Sequence, residues 1–260
     1  MKMPFYKYQG TGNDFVIIDN RKEVFPKEDT ALVERLCHRR FGIGADGLIL
    51  LQNKKGYDFE MVYYNSDGRI STMCGNGGRC IAAFAKKLGI IDKHCRFLAI
   101  DGDHAATVDD ENGVELKMQD VAFGESGEDY YVLDTGSPHY VIFVEDLDDV
   151  NVVENGQAIR YSATYKKEGI NVNFVEKTEA GILVATYERG VEDETLSCGT
   201  GVTACAIAHY MGNPTGTPTT VPVKTKGGDL EVRFKPNVDR GVTDVWLCGK
   251  AILVFEGVVA

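Results

Sequence analysis

One block of this chain returns 124 residues later. Thr11-Gly12 matches Thr135-Gly136, and Cys74-Gly75-Asn76-Gly77 matches Cys198-Gly199-Thr200-Gly201 at the same offset. Tyr63 falls on Tyr187 and Ala82 on Ala206, while Phe59, Met61 and Tyr63 fall on Leu183, Ala185 and Tyr187. Any one pair can arise by chance; several at a single offset point to two similar halves. No shorter period recurs, which excludes solenoids and propellers. The 260 residues suffice for two separate cores.

Each half reads alike. A Thr-Gly loop precedes an apolar run, Phe15 to Asp19 in the first half and Tyr140 to Val144 in the second. Alternating strands follow, Phe59 to Tyr64 and Ile182 to Tyr187. A Cys-Gly-x-Gly turn then opens a helix. The first is expected over Gly78 to Leu88 with Gly89 past its end, the second over Thr200 to Met211 ending at Gly212. Both are rich in alanine and apolar on most faces, the pattern of a buried helix. The expected fold is therefore α/β (α+β), each half a curved sheet around a central helix. An amphipathic helix fits Glu28 to Arg40, and Gly227-Gly228 and Pro236-Asn237 read as hairpin turns.

The formal charge of −11 argues against nucleic acid or an anionic membrane as the main partner. An anionic small molecule remains open, because a local site can be positive on a negative protein. The N-terminal segment has no apolar run fit for a signal core, and no stretch is long and apolar enough to span a bilayer. A cytoplasmic location is expected. Seven cysteines without a signal segment argue for reduced thiols rather than a disulfide framework.

The chemistry is expected at Cys74 and Cys198, each at the start of a helix. A helix N-terminus lowers a thiol pKa and offers backbone N–H groups to a carboxylate. Two such ends converging on one cleft suit inversion at a carbon bearing a carboxylate. One thiolate removes the α-proton and the other thiol returns a proton to the opposite face. Cys37, Cys80, Cys95, Cys205 and Cys248 read as small hydrophobes. The cysteine spacings are not those of a zinc knuckle, so no metal is expected. Gly42-Ile43-Gly44-Ala45-Asp46-Gly47 fits G-x-G-x-x-G, but a helix precedes it and a strand follows, the reverse of a dinucleotide fingerprint. Nothing marks a lysine for pyridoxal phosphate.

Together these motifs resemble the diaminopimelate epimerase family. They are Gly10-Thr11-Gly12-Asn13-Asp14-Phe15, Asn65-Ser66-Asp67-Gly68, Cys74 to Cys80, Tyr187-Glu188-Arg189-Gly190 and Cys198-Gly199-Thr200-Gly201, in the family's order. The resemblance implies a cofactor-independent isomerase that interconverts LL- and meso-2,6-diaminoheptanedioate, in lysine and peptidoglycan biosynthesis, and that forms homodimers. It implies two pseudo-symmetric halves, each a β-barrel-like sheet around a central helix, with the active site in the cleft between them. The last strand returns to the first half, giving residues 1–117 plus 246–260 and residues 118–245. Residue by residue, Cys74 and Cys198 match the catalytic thiols. Gly75-Asn76 and Gly199-Thr200 match the carboxylate cradle. Asn13, Asn65, Asn171, Glu188 and Arg189 match substrate-binding groups, Arg189 being suited to the distal carboxylate. His139 and Glu188 match residues that tune the thiols.

Three departures stand out. Gly47 replaces a common glutamine, Ser137 a common asparagine, and Val191-Glu192-Asp193-Glu194 makes the segment before Cys198 longer and more acidic. Other readings stay open at this point. They are a racemase of the same fold acting on proline, hydroxyproline or histidine, a non-catalytic anion-binding module, and a redox sensor with a reversible disulfide. His139, Asn13, Asn65 and Arg189 could each be ordinary loop or surface residues.

Overall fold

The computed structural model describes residues 2–237 and 240–259. The chain forms two compact units, Met1–Leu116 with Gly249–Ala260, and Lys117–Cys248.

The first unit contains β1 (Met3–Gly10), β2 (Asn13–Asp19), α1 (Thr30–Cys37), β3 (Gly47–Gln52), β4 (Phe59–Asn65), α2 (Gly75–Lys87), β5 (His94–Ala99), β6 (Gly102–Val108), β7 (Gly113–Lys117) and the late strand β16 (Ile252–Val259). Its sheet runs β16-β1-β2-β3-β4-β5-β6-β7. The β2–β3 and β4–β5 pairs are parallel, and the others are antiparallel.

The second unit repeats this plan with β8 (Tyr130–Asp134), β9 (Pro138–Val144), α3 (Val152–Arg160), β10 (Asn171–Thr178), β11 (Gly181–Glu188), β12 (Asp193–Thr195), α4 (Gly199–Met211), β13 (Thr219–Thr225), β14 (Gly228–Asn237) and β15 (Gly241–Lys250). The order is β15-β14-β13-β11-β10-β9-β8, with the short β12 beside β11. Here β9–β10 and β11–β13 are the parallel pairs. Apart from β12 and β16, which have no counterparts, element order and strand polarity agree, so the halves inferred from the 124-residue offset share one topology. Each sheet curls around its helix without closing.

Residues in β3 show why a parallel core strand reads as a continuous apolar run. All six are buried. Leu48 and Leu50 pack outward against Val33 and Leu36 of α1, while Ile49 faces Gly77 of α2. A strand covered on both faces has no solvent side on which to place polar residues. In the second unit α3 takes the place of α1, covering Val172, Phe174, Ala185 and Tyr187. Of the two central helices, α2 is buried from Gly75 to Ala85 and α4 over most of its length.

Several boundaries differ from expectation. Helix α2 begins at Gly75, three residues early, and α4 begins at Gly199. Glycine keeps its backbone N–H, so these residues cost helix propensity but no hydrogen bond, and Gly78 N–H makes the first helical bond, to the Cys74 carbonyl. Close packing gives Gly77 and Gly78 a purpose that outweighs their poor helix propensity. A Cβ at Gly77 would lie 3.2 Å from Ile49 Cδ1, and one at Gly78 would lie 2.9 Å from Met73 Sδ. Helix α1 is shorter than expected, running from its N-cap Asp29 to Cys37, and turns out at His38 in extended backbone. Helix α3 was not marked in the sequence. Pro236 and Asn237 are not a turn; they end β14, paired with Val242 and Gly241. Residues 238–239 lie outside the described residues.

Candidate active site

The four helices start in two different ways. Asp29 and Asn151 cap α1 and α3 in the ordinary manner, accepting from the N–H of Leu32 and of Glu154. Cys74 and Cys198 are the N-caps of α2 and α4, in extended backbone, and neither side chain makes the capping hydrogen bond. Their carbonyls accept the first helical bonds, from Gly78 and Val202 at 2.8 Å each. The first-turn donors of α2 and α4 therefore belong to Gly-x-Gly, and the helix dipole adds positive potential there.

Around Cys74 the side chains form a hydrogen-bonded chain. The buried Arg79 guanidinium donates to Asn76 Oδ1 at 2.7 Å and to Thr11 Oγ1 at 3.0 Å. Asn76 therefore turns its Nδ2 to Asn13 Oδ1, 3.3 Å away. Asn13 Nδ2 donates to Asp46 at 2.7 Å, which leaves Asn13 Oδ1 facing the Cys74 sulfur at 3.5 Å. Asp46 is itself held by Arg39 at 2.7 Å, and Arg39 also pairs with Asp14. Burial pushes the Asp14 carboxyl up, but hydrogen bonds from Arg39 and Lys7 more than reverse this and bring it to about 2. Asn76 is only 1% exposed, so what it can offer a ligand is its backbone.

Around Cys198 the chain differs. Thr200 Oγ1 lies 3.4 Å from the sulfur, 2.9 Å from His139 Nε2 and 3.2 Å from Ser137 Oγ. His139 is fully buried, and desolvation lowers its pKa to about 3. Asn171 Nδ2 reaches Ser137 Oγ at 3.3 Å, and its Oδ1 accepts from the Arg189 N–H at 2.8 Å. The Arg189 guanidinium bonds the Glu168 carbonyl and is exposed. Glu188 sits half-buried at the end of β11, paired with Asp193 of β12.

The structure thus joins Asn13, Asn76 and Cys74 in one network. It joins His139, Thr200, Asn171 and Cys198 in another. Asn65 stands exposed at the end of β4, paired with Gly47 of β3, and makes backbone turn bonds with Arg69 and Gly68. Thr11, Asp46, Asn173 and Thr186 belong to these networks without having been singled out. Asp46 lies inside the discarded glycine-rich motif.

The three departures have local explanations. A Cβ at Gly47 would lie 2.5 Å from the Tyr63 ring and 2.6 Å from the Tyr64 carbonyl, so no side chain fits there. Ser137 Oγ reaches His139 Nε2 directly at 3.0 Å. The acidic segment is bound by its own neighbours: Glu192 accepts from Tyr161 and Tyr187 and pairs with Arg160, while Glu194 pairs with Lys226.

Burial raises the thiols of Cys37, Cys80 and Cys95 to about 12 and that of Cys205 well above its ordinary value. These four are held protonated and unreactive. Among the described residues, no group of three or more His, Cys, Asp and Glu side chains could hold a metal ion, and no helix is long and apolar enough to cross a membrane.

Comparison with known proteins agrees with this geometry. The sequence profile of the family described as Diaminopimelate epimerase matches residues 5–123 and 131–253. This chain belongs to the diaminopimelate epimerase family. The diaminopimelate epimerase of Flavobacterium psychrophilum is 53% identical over 256 residues, covering 98% of this chain and 99% of that one. That of Aquifex aeolicus is 42% identical, covering 98% and 97%. Among solved structures, a phenazine biosynthesis protein of the PhzF family from Bacillus anthracis has a TM-score of 0.76 at 13% identity, covering 100% of this chain and 99% of that one. A hydroxyproline epimerase from Agrobacterium vitis has a TM-score of 0.69 at 14% identity, covering 100% and 92%. At such identities the two structures speak for the fold alone.

Proposed function

We propose that this chain is a diaminopimelate epimerase, an isomerase that interconverts LL- and meso-2,6-diaminoheptanedioate. Its product would serve lysine and peptidoglycan biosynthesis. The observation that carries the reading is the pair of cysteine N-caps at equivalent places in two units of one topology, in a chain 53% identical to a protein of that name.

The chemistry follows from the residues. One thiolate takes the α-proton, and the electrons left on carbon spread into the adjacent carboxylate. First-turn N–H groups at Gly75-Asn76 and Gly199-Thr200 stabilise that developing charge. The second thiol delivers its proton to the opposite face and becomes a thiolate, so the reaction balances without a redox partner or cofactor. A positioned acid or base contributes about 10²–10⁴-fold each. Asn13, Asn65, Asn171, Glu188 and Arg189 hold the substrate, with Arg189 on the distal carboxylate. His139 and Glu188 tune the thiols, His139 as a neutral ring. We place the protein in the cytoplasm as a homodimer. Supporting a dimer, edge strand β16 exposes Ile252, Val254, Phe255 and Val258.

The test is proton NMR of the LL substrate in D₂O with reduced protein and no added cofactor. The expected outcome is the meso isomer carrying deuterium at one α-carbon. Folded, reduced protein that exchanges no proton of this substrate but does exchange that of proline or histidine would replace the substrate and keep the reaction class.

A further inference from the structure

Behind Cys198 stand two buried side chains to which nothing above gives a role, Asn173 and Thr186. We infer that Asn173 is a positioning residue that fixes the tautomer of His139 and so turns the Thr200 hydroxyl onto the Cys198 sulfur. The catalytic meaning of this rests on the proposed two-thiol reaction, but its structural content does not depend on the substrate.

The argument is one of donors and acceptors. The Tyr140 carbonyl can only accept, so the Asn173 atom 3.0 Å from it is Nδ2. That same Nδ2 lies 3.1 Å from His139 Nδ1, which is therefore the bare, accepting nitrogen. Thr186, the partner of Asn173 across β10 and β11, donates to Asn173 Oδ1 at 2.9 Å and locks the amide in this sense. Burial keeps the imidazole neutral, so its one ring proton sits on Nε2. From there it is donated towards Thr200 Oγ1 at 2.9 Å and Ser137 Oγ at 3.0 Å.

Ser137 Oγ also accepts from Asn171 Nδ2, an amide oriented by the Pro138 carbonyl and the Arg189 N–H. With those neighbours donating, the Ser137 proton goes to Thr200 Oγ1. Thr200 then accepts twice, and its own proton points to Cys198 Sγ at 3.4 Å. A donor aimed at sulfur favours the thiolate. With the proton on Nδ1 instead, Thr200 would donate to the bare Nε2 and the sulfur would lose its donor.

Gly201 shows that the chain is built to hold this arrangement. A Cβ there would lie 2.5 Å from Asn173 Oδ1 and 3.2 Å from His139 Cε1. The titratable and charged groups set against the relay are Arg189, whose charge also disfavours protonated His139, and Cys205 next to Cys198 on α4.

Two measurements on the full chain, both without substrate, test this. ¹⁵N NMR of the imidazole reads the tautomer. The iodoacetamide alkylation rate of the Cys198 peptide against pH, followed by mass spectrometry, reads the thiolate. The expected wild-type ring has bare Nδ1 and protonated Nε2. Asn173→Asp should invert the tautomer, since its carboxylate accepts from Nδ1–H. Asn173→Asp and Thr200→Val should each slow alkylation at neutral pH about tenfold, the loss of one hydrogen bond to a charged group. Thr200→Ser should retain the wild-type profile. A wild-type Nδ1–H, or an unchanged Cys198 profile in Thr200→Val or in folded Asn173→Asp, would overturn the inference. If Asn173→Asp does not fold, the wild-type tautomer and the Val/Ser pair at Thr200 still decide it. A chain that passes these tests yet fails to epimerise diaminopimelate would refute the substrate and leave the relay standing.

Discussion

Cys74 and Cys198 occupy the same place in two copies of one topology, yet the atoms facing their sulfurs have opposite polarity. Cys74 faces the amide oxygen of Asn13, which can only accept, 3.5 Å away. Cys198 faces the hydroxyl of Thr200, which can donate, 3.4 Å away. An acceptor stabilises a thiol and a donor stabilises a thiolate. The repeat supplies two equivalent helix starts; in the proposed reaction these neighbours would give the two sulfurs different resting states. The neighbours are themselves fixed from behind, Asn13 by Asp46 in the first unit and Thr200 by His139 in the second. The first unit uses a carboxylate clamped by Arg39, the second a buried neutral ring.

The largest effect should come from removing either thiol. Cys74→Ser and Cys198→Ser change little volume, so both should fold. Each should lose about 10²–10⁴-fold in kcat, the worth of one positioned acid or base. Deuterium exchange at the α-carbon, measured separately in each stereochemical direction, sharpens the comparison. If the two cysteines have different resting states, the two serine variants should differ in which direction retains exchange. Full epimerase activity in either would break the two-thiol mechanism.

Next comes the last glycine of each Cys-Gly-x-Gly. A Cβ at Gly77 would meet the mobile ends of apolar side chains, Ile49 Cδ1 at 3.2 Å and Met61 Cε at 3.3 Å. One at Gly201 would lie 2.5 Å from the Asn173 amide oxygen. Gly201→Ala should cost about 1–3 kcal/mol by overpacking and also disturb the His139 relay, while Gly77→Ala costs less because its neighbours can shift. Thermal melts of the two variants beside kcat give the contrast. Equal losses in both would mean that the glycines serve only the helix backbone.

A third difference appears on acidification. His139 is held neutral, down to about 3, whereas an unfolded histidine titrates near 6.5. Between those values the unfolded chain binds a proton that the native chain does not. Stability from this group therefore rises with pH and falls on acidification, by about 1.4 kcal/mol per pH unit below 6.5. Asp14 acts later and from the other side of the comparison. Its carboxyl is held at about 2, so its contribution is present above 3.8 and fades as pH falls towards 2. Denaturant titrations of wild type and His139→Gln across pH 4–7 should converge at low pH. Parallel curves would show that His139 is already charged.

The repeat made both curled sheets and both buried helices legible, because apolar alternation and an alanine-rich run survive divergence. Helix α3 was not legible from its residues. Val152 to Arg160 carries Asn155-Gly156 in mid-helix, a poor local pattern, and Gly156 is there because Tyr187 Cβ lies 2.4 Å from where its own Cβ would be. The offset alone could have found it, since α1 shifted by 124 residues lands on 154–161. At the site, the cysteines stood out because a motif surrounds them. Asn173 and Thr186 did not, because only the β10–β11 register makes them partners, and only the β9–β10 register, which sets His139 opposite Asn171, brings Asn173 two residues on to the same face as His139. Asp46 was hidden for a similar reason: its link to Asn13 spans 33 residues.

The smallest expected effect isolates what a cysteine N-cap means. Helices α1 and α3 are capped by Asp29 and Asn151, α2 and α4 by no side chain. Asp29→Ala and Asn151→Ala should each lower stability by about 1 kcal/mol and leave kcat unchanged, since those side chains bond the first turn of their own helix. The helices led by cysteine have no such side-chain cap, and under the proposed function their donors go to the substrate carboxylate instead. Bound substrate analogue should therefore raise the melting temperature of wild type and of both cap variants by the same increment. An increment that shrinks in either alanine variant would tie the ordinary caps to ligand binding and dissolve the distinction between the two kinds of helix start.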